Sequence, residues 1–214
     1  MTQLSGPVRQ PASGTTKQLI MFLHGLGADG NDLIGLSPMF AETFPDAAFI
    51  SPNAPYPCDM APYGHQWFSL QSRDPVDMLE GIYSAAPILN AFIDAQLKKL
   101  GLSDENLALI GFSQGTMMAL HTALRRPNAC AGVVGFSGAL VGPELLAADL
   151  ESRPPVCLIH GNADTVVPHG ALKHALQGLK AADVSVEDHT RPGLGHGIDE
   201  EGIEIAKRFL KKVL

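Results

Sequence analysis

Cysteine is scarce in this chain. There are three in 214 residues, Cys58, Cys130 and Cys157, widely spaced and with no Cys-x-x-Cys pair. An odd number at such spacing argues against a disulfide framework and fits a reducing compartment, so the cytoplasm is the expected location. Positive charge is short as well: 15 Lys and Arg stand against 22 Asp and Glu, a formal net charge of −7. The basic residues are scattered apart from pairs such as Arg125-Arg126 and Lys211-Lys212. A phosphate-binding surface needs clustered cations to displace counterions, so nucleic acid and strongly anionic membrane surfaces are excluded as partners. No apolar run approaches the roughly 18 residues of a membrane span, and no stable membrane insertion is expected. Residues 1–16 are polar and rich in Pro, Gly and Ser, without the basic start and apolar stretch of a signal peptide. They are set apart as an N-terminal segment, either a first edge strand or a flexible lead-in. There is no internal repeat, no low-complexity tract and no compositional break, so residues 17–214 read as a single domain.

What is present is a core-forming chain, 45% hydrophobic and 17% charged. Short apolar runs alternate with helical patterns. The runs are Leu19 to Leu23, Ala47 to Ile50, Leu107 to Phe112, Val133 to Phe136, Val156 to Ile159 and Val184 to Glu187. Most are continuously apolar, the pattern of parallel strands covered on both faces. Between them, Asp77 to Leu100 carries an amphipathic stripe that Pro87 is expected to kink or split. Gln114 to Arg126 is apolar almost all round, which predicts a buried helix, and Gly170 to Ala182 and Glu201 to Leu214 complete the set. Strand–helix alternation of this kind predicts a mostly parallel sheet with right-handed crossovers. The stretch from Ser51 to Arg73 is left as a long irregular segment, and loops of that length are usually functional.

Gly111-Phe112-Ser113-Gln114-Gly115 matches Gly-x-Ser-x-Gly at the junction of a strand-like run and the buried helix. The strand-to-helix turn is so tight that its flanking positions must be small, and it pushes the serine oxygen clear of the sheet. Ser113 is therefore the candidate nucleophile. Of eight histidines, His196 is the candidate base. It lies in Gly193-Leu194-Gly195-His196-Gly197, between the last strand and the last helix, where triad order on such a sheet requires it. The acid belongs on a loop between the two. Asp164 follows the buried run Val156 to Ile159, whereas Asp149, Glu151, Asp183, Glu187 and Asp188 compete by order alone. Its role would be to hold the imidazole tautomer and stabilise the imidazolium. Two N–H donors for an oxyanion are expected from Gln114 and Leu26, the latter in His24-Gly25-Leu26-Gly27. Trp67 and Phe68 read equally as the wall of an acyl pocket or as anchors of their loop, and Val166 is placed beside the substrate. No metal ligand set is evident; Asp29 and Asp32 lack the spacing of a calcium loop.

Taken together, His24 to Gly30, Gly111 to Gly115, Leu158 to Pro168 and Gly193 to His196 resemble the phospholipase/carboxylesterase family of α/β-hydrolases over about residues 17 to 214. The resemblance implies an α/β-hydrolase fold with no separate lid domain, a Ser113-Asp164-His196 triad, Leu26 and Gln114 at the oxyanion hole, and Trp67-Phe68 near the acyl site. It also implies no cofactor, a small-molecule acyl ester substrate and a tendency to form a homodimer. The expected reaction is hydrolysis of short to medium acyl esters, with thioesters or lysophospholipids as further substrates. A non-catalytic binder on the same fold is the competing reading, since fold does not fix function. Peptide cleavage ranks below both for want of a propeller or cap domain.

Overall fold

The computed structural model describes residues 4–214. In chain order its strands are β1 (Val8–Arg9), β2 (Gln18–Leu23), β3 (Ala47–Ile50), β4 (Tyr56–Pro57), β5 (His65–Gln66), β6 (Leu107–Phe112), β7 (Gly132–Phe136), β8 (Val156–Gly161) and β9 (Val186–Arg191). Its helices are α1 (Gly30–Ile34), α2 (Ser37–Ala41), α3 (Pro75–Leu100), α4 (Gln114–Leu124), α5 (Leu146–Asp149), α6 (Gly170–Ala181) and α7 (Glu200–Val213). Seven strands make one sheet in the order β1-β3-β2-β6-β7-β8-β9, while β4 and β5 pair separately as a small antiparallel hairpin. Only β1 runs antiparallel within the large sheet; every other neighbour pair is parallel.

The continuous apolar runs have a simple origin. Side chains alternate between the two faces of a strand, and both faces here are covered. On β2, Leu19, Met21 and Leu23 join a core layer under α3, α4 and α6, including Ile82, Leu89, Leu120 and Leu179. Ile20 and Phe22 point to the opposite layer with Leu33, Phe40, Ile203 and Phe209 from α1, α2 and α7. All eleven residues of α4 are buried, as its unbroken apolarity predicts.

Three sequence expectations change. Pro87 does not split its helix: α3 runs unbroken from Pro75 to Leu100. Pro87 and Tyr83, the residue whose carbonyl it leaves unpaired, are on the exposed side while Ala85, Ala86 and Leu89 are buried, so the lost hydrogen bond falls away from the packed stripe that holds the helix together. The last strand begins at Val186 rather than Val184 and extends to Arg191. As the sheet's edge it is only half covered, so its polar residues hide the continuous apolar signature seen in the interior strands. The Ser51 to Arg73 segment contains the β4–β5 hairpin.

Because β2, β3 and β6 to β9 are parallel, their C-terminal ends share one edge of the sheet. The loops that leave that edge carry His24 to Ala28, Ser113, the 162–169 segment and the 192–199 segment. Among the described residues no helix is long and apolar enough to cross a membrane.

Candidate active site

Ser113 sits between β6 and α4 with φ 53° and ψ −116°. A positive φ costs a non-glycine residue of order 1–3 kcal/mol and persists only where the surroundings enforce it. Here the enforcement is visible. The Ser113 N–H donates to the Phe136 carbonyl at 2.9 Å, and its own carbonyl accepts from Thr116 N–H at 3.0 Å. The neighbouring glycines leave no alternative: a Cβ on Gly111 would sit 2.4 Å from the Thr116 nitrogen, and one on Gly115 would sit 1.8 Å from the Leu23 carbonyl oxygen.

The loops carrying the histidine and the acid are stitched to each other. Ala163 N–H donates to the Leu194 carbonyl at 3.0 Å, and Gly193 N–H donates to Asn162 Oδ1 at 2.7 Å. Gly161 has no room for a side chain, since a Cβ there would lie 2.1 Å from the Leu194 carbonyl oxygen. The outcome is a linear relay. His196 Nε2 is 3.0 Å from Ser113 Oγ, and His196 Nδ1 is 2.7 Å from Asp164 Oδ2. An ionised carboxylate can only accept, so the imidazole proton resides on Nδ1 and Nε2 is left to accept from the serine hydroxyl. The Phe112 ring packs on the imidazole with centroids 4.9 Å apart.

Asp164 has a fully buried side chain. Its second oxygen accepts from Val166 N–H at 2.8 Å and Val167 N–H at 2.9 Å. Burial on its own pushes the Asp164 pKa up, but the His196 ring and the Val167 and Val166 N–H groups outweigh it and hold the carboxyl below its ordinary 3.8. His160, which ends the core of β8, braces this loop by donating from Nε2 to the Val167 carbonyl at 2.9 Å. Burial lowers its pKa, so it is neutral at pH 7.

Two backbone N–H groups lie beside the serine: Gln114 follows it in the chain, and Leu26 lines the same cleft. Neither the Gln114 N–H nor the Leu26 N–H has a protein acceptor among the described residues. Gln114 opens α4, whose N-terminus carries the positive end of the helix dipole. Gly25, next to Leu26, lies against the serine, since a Cβ there would be 3.4 Å from Ser113 Cβ. A cleft of about 340 Å³ opens over Ser113 and His196, walled by Leu26, Met60, Met78, Met117, Val166 and Pro168. Its walls are apolar apart from Arg73 and the catalytic-type groups.

The structure therefore brings Ser113, Asp164, His196, Leu26, Gln114 and Val166 to one site. It does not bring Trp67 and Phe68 to the cleft wall. Both are buried, at 0% and 1% exposed, and of the two readings left open by the sequence the anchoring one holds. Trp67 Nε1 donates to the His24 carbonyl at 2.9 Å. The Gln114 side chain accepts from Trp67 N–H at 2.9 Å and donates to the Phe68 carbonyl at 2.8 Å. Sequence reasoning missed Met60, Met78 and Met117 as cleft residues. The last two sit on helical stripes that signal core, and Met60 sits in the irregular segment, where no periodicity exists to read.

Among the described residues one group of potential metal ligands is present, Cys157, Glu187 and His189. Lys212 already holds Glu187 at 3.1 Å, and burial pushes the Cys157 thiol up to about 12. The cluster is an ion pair beside a neutral thiol, toward the start of β8 and away from the serine.

A parallel sheet between helical layers, with a strained serine at a strand-to-helix elbow and its histidine and acid on later loops of the same edge, defines an α/β-hydrolase. The chain belongs to the phospholipase/carboxylesterase family, whose sequence profile matches residues 7–214. The crystal structure of esterase PE8 superposes with a TM-score of 0.95 at 41% identity, covering 99% of this chain and 100% of that one. Esterase YpfH of Escherichia coli (strain K12) is 28% identical over 95% of this chain and 86% of its own length. Acyl-protein thioesterase 1 homolog 1 of Dictyostelium discoideum is 28% identical over 94% of this chain and 92% of its own.

The buried carboxylate has a consequence for stability. Its folded pKa lies below the unfolded value, so its contribution is complete above about pH 4 and drains away as the pH falls through the folded value. Urea unfolding of the wild type and of Asp164→Asn from about pH 6 down to pH 3 should show a steeper acid loss of stability in the wild type. Parallel acid slopes in the two proteins would contradict this.

Proposed function

We propose that the protein is a serine carboxylesterase that hydrolyses short to medium acyl esters, and thioesters of similar size, through an acyl-enzyme intermediate. The observation that carries this reading is the unbroken Ser113–His196–Asp164 hydrogen-bond relay beneath an apolar cleft. Ser113 Oγ attacks the acyl carbon while His196 Nε2 takes its proton, and Asp164 keeps the imidazole oriented and stabilises it once charged. Leu26 N–H and Gln114 N–H receive the charge that develops on the carbonyl oxygen. The proton then passes from His196 to the departing alkoxide or thiolate. Water, deprotonated by the same imidazole, releases the acid and regenerates the serine. A fluorophosphonate probe should label Ser113 in the wild type and not in Ser113→Ala, and that substitution should lower ester turnover by about a million-fold. A binder on the same fold would keep its turnover-independent ligand affinity and would show no labelling in folded wild-type protein; that pair of results would refute the esterase reading.

Acyl preference follows from the cleft. About 340 Å³ is near the lower end of ordinary ligand pockets. Across p-nitrophenyl esters of rising chain length, kcat/KM is expected to hold for short and medium chains and to drop at palmitoyl length. A rate that keeps climbing to the longest chains would point to a different binding site.

The reading extends to place and assembly. The substrate is a small-molecule ester, with no nucleic acid and no stable membrane insertion. Three free cysteines support the cytoplasm. A homodimer should scatter light as twice 22.7 kDa; a single-chain mass at working concentration would remove it.

A further inference from the structure

His24 is fully buried beside the proposed oxyanion hole, although nothing in the serine–histidine–aspartate relay uses it. Its two ring nitrogens have unlike partners. Ala54 N–H donates to Nε2 at 3.0 Å. A backbone N–H needs a lone pair to receive it, so Nε2 carries no proton and the neutral ring's single proton is on Nδ1. That Nδ1–H donates to the carbonyl oxygen of Gly25 at 2.7 Å. The Gly25–Leu26 peptide is trans, as are all those described. In a trans peptide the C=O and the following N–H point in opposite directions. A bond that draws the Gly25 oxygen toward the buried imidazole thus turns the Leu26 N–H away from it, on the side where Leu26 lines the cleft and Gly25 meets Ser113.

We infer that His24 is a positioning residue: held as its Nδ1–H tautomer by Ala54, it locks the Gly25–Leu26 peptide with the Leu26 N–H aimed at the developing oxyanion. Were the peptide to turn over, the negative end of the Gly25 carbonyl dipole would face that charge and oppose it. The surroundings fit a neutral ring. Burial, the largest influence, lowers the His24 pKa; His65 lowers it further, while Gly25, Asp29 and Asp32 act in the other direction. The rest of the loop is fixed independently. Gly27 N–H donates to the His65 carbonyl at 2.9 Å and His65 N–H to the Ala28 carbonyl at 2.8 Å. The Gly25 carbonyl accepts two bonds, a long one from Ala28 N–H at 3.3 Å and the much shorter one from His24 Nδ1 at 2.7 Å, so the imidazole is the stronger of the two restraints on the Gly25–Leu26 peptide.

This inference rests on Leu26 as an oxyanion donor, and its test separates the two claims. Replacing His24 with Asn removes the reach to Ala54 and Gly25 together. In a His24→Asn protein whose circular dichroism matches the wild type, kcat is expected to fall by about 10- to 100-fold with KM changed less than about threefold. Affinity for a trifluoromethyl ketone, which forms the tetrahedral adduct, should fall in parallel with kcat/KM. A loss confined to KM, or no loss in a folded variant, overturns the role. Nitrogen-15 NMR of the wild type at pH 7 provides a second test that needs no variant: His24 must show a protonated Nδ1 and an unprotonated Nε2, and the opposite tautomer overturns the proposal whatever the variant does. If the esterase reading itself is wrong, folded wild-type protein shows neither fluorophosphonate labelling nor ester turnover; if only the role of His24 is wrong, the wild type turns over, Ser113→Ala does not, and His24→Asn keeps the wild-type kcat.

Discussion

Gly115 has no side chain, so the first turn of α4 lies directly on the end of β2, against the Leu23 carbonyl. Most of the site depends on that approach. β2 and β6 are neighbours in register, Leu23 beside Gly111, and each strand ends at the same height. The residues that follow Leu23 are His24, Gly25 and Leu26; those that follow Phe112 are Ser113 and Gln114. Bringing the helix start onto the neighbouring strand therefore brings the two proposed oxyanion donors together, from positions 88 residues apart in sequence. A methyl group at Gly115 would force them apart, because the obstacle is backbone and cannot rotate away.

The relay obeys a comparable logic on the other half of the sheet. Asp164 is out of water, which by itself disfavours its charge, yet it remains ionised because three N–H groups converge on it. Two of these belong to its own loop, which His160 braces from the strand beneath. The third is the His196 ring. The loops of acid and base hold each other through Asn162 and Ala163, so the imidazole is presented to Ser113 by a support assembled before any substrate arrives, the condition under which electrostatic stabilisation is most effective.

How much of this could be read in the sequence depended on whether a residue's job left a local mark. The interior strands did, because strands covered on both faces must be apolar at successive positions. The elbow did, because two glycines must flank the serine where backbones nearly touch. The loops of His196 and Asp164 were found by chain order and by the strands before them. The edge strand β9 starts two residues later than its apolar run suggests, because none of its six positions is fully buried and its sequence carries no continuous apolar signature. Pro87 reads as a break because sequence shows the missing N–H but not that the proline lies on the helix's exposed side, away from the packed stripe. Trp67 was ambiguous for a different reason: burial in a loop depends on contacts with His24 and Gln114 that are distant in sequence. The cleft's methionines carried no signal at all, since Met78 and Met117 fall on the same helical stripes that make the core.

Trp67 is the chain's single tryptophan. Its indole is bonded to the His24 carbonyl and stacked at a tilt 5.7 Å from the His24 ring, while its own N–H is held by Gln114. Indole emission from this protein, excited to the red of tyrosine absorption, consequently originates at one point, and that point is tied to both halves of the proposed oxyanion hole. The molecule carries a built-in optical gauge of the geometry its chemistry requires.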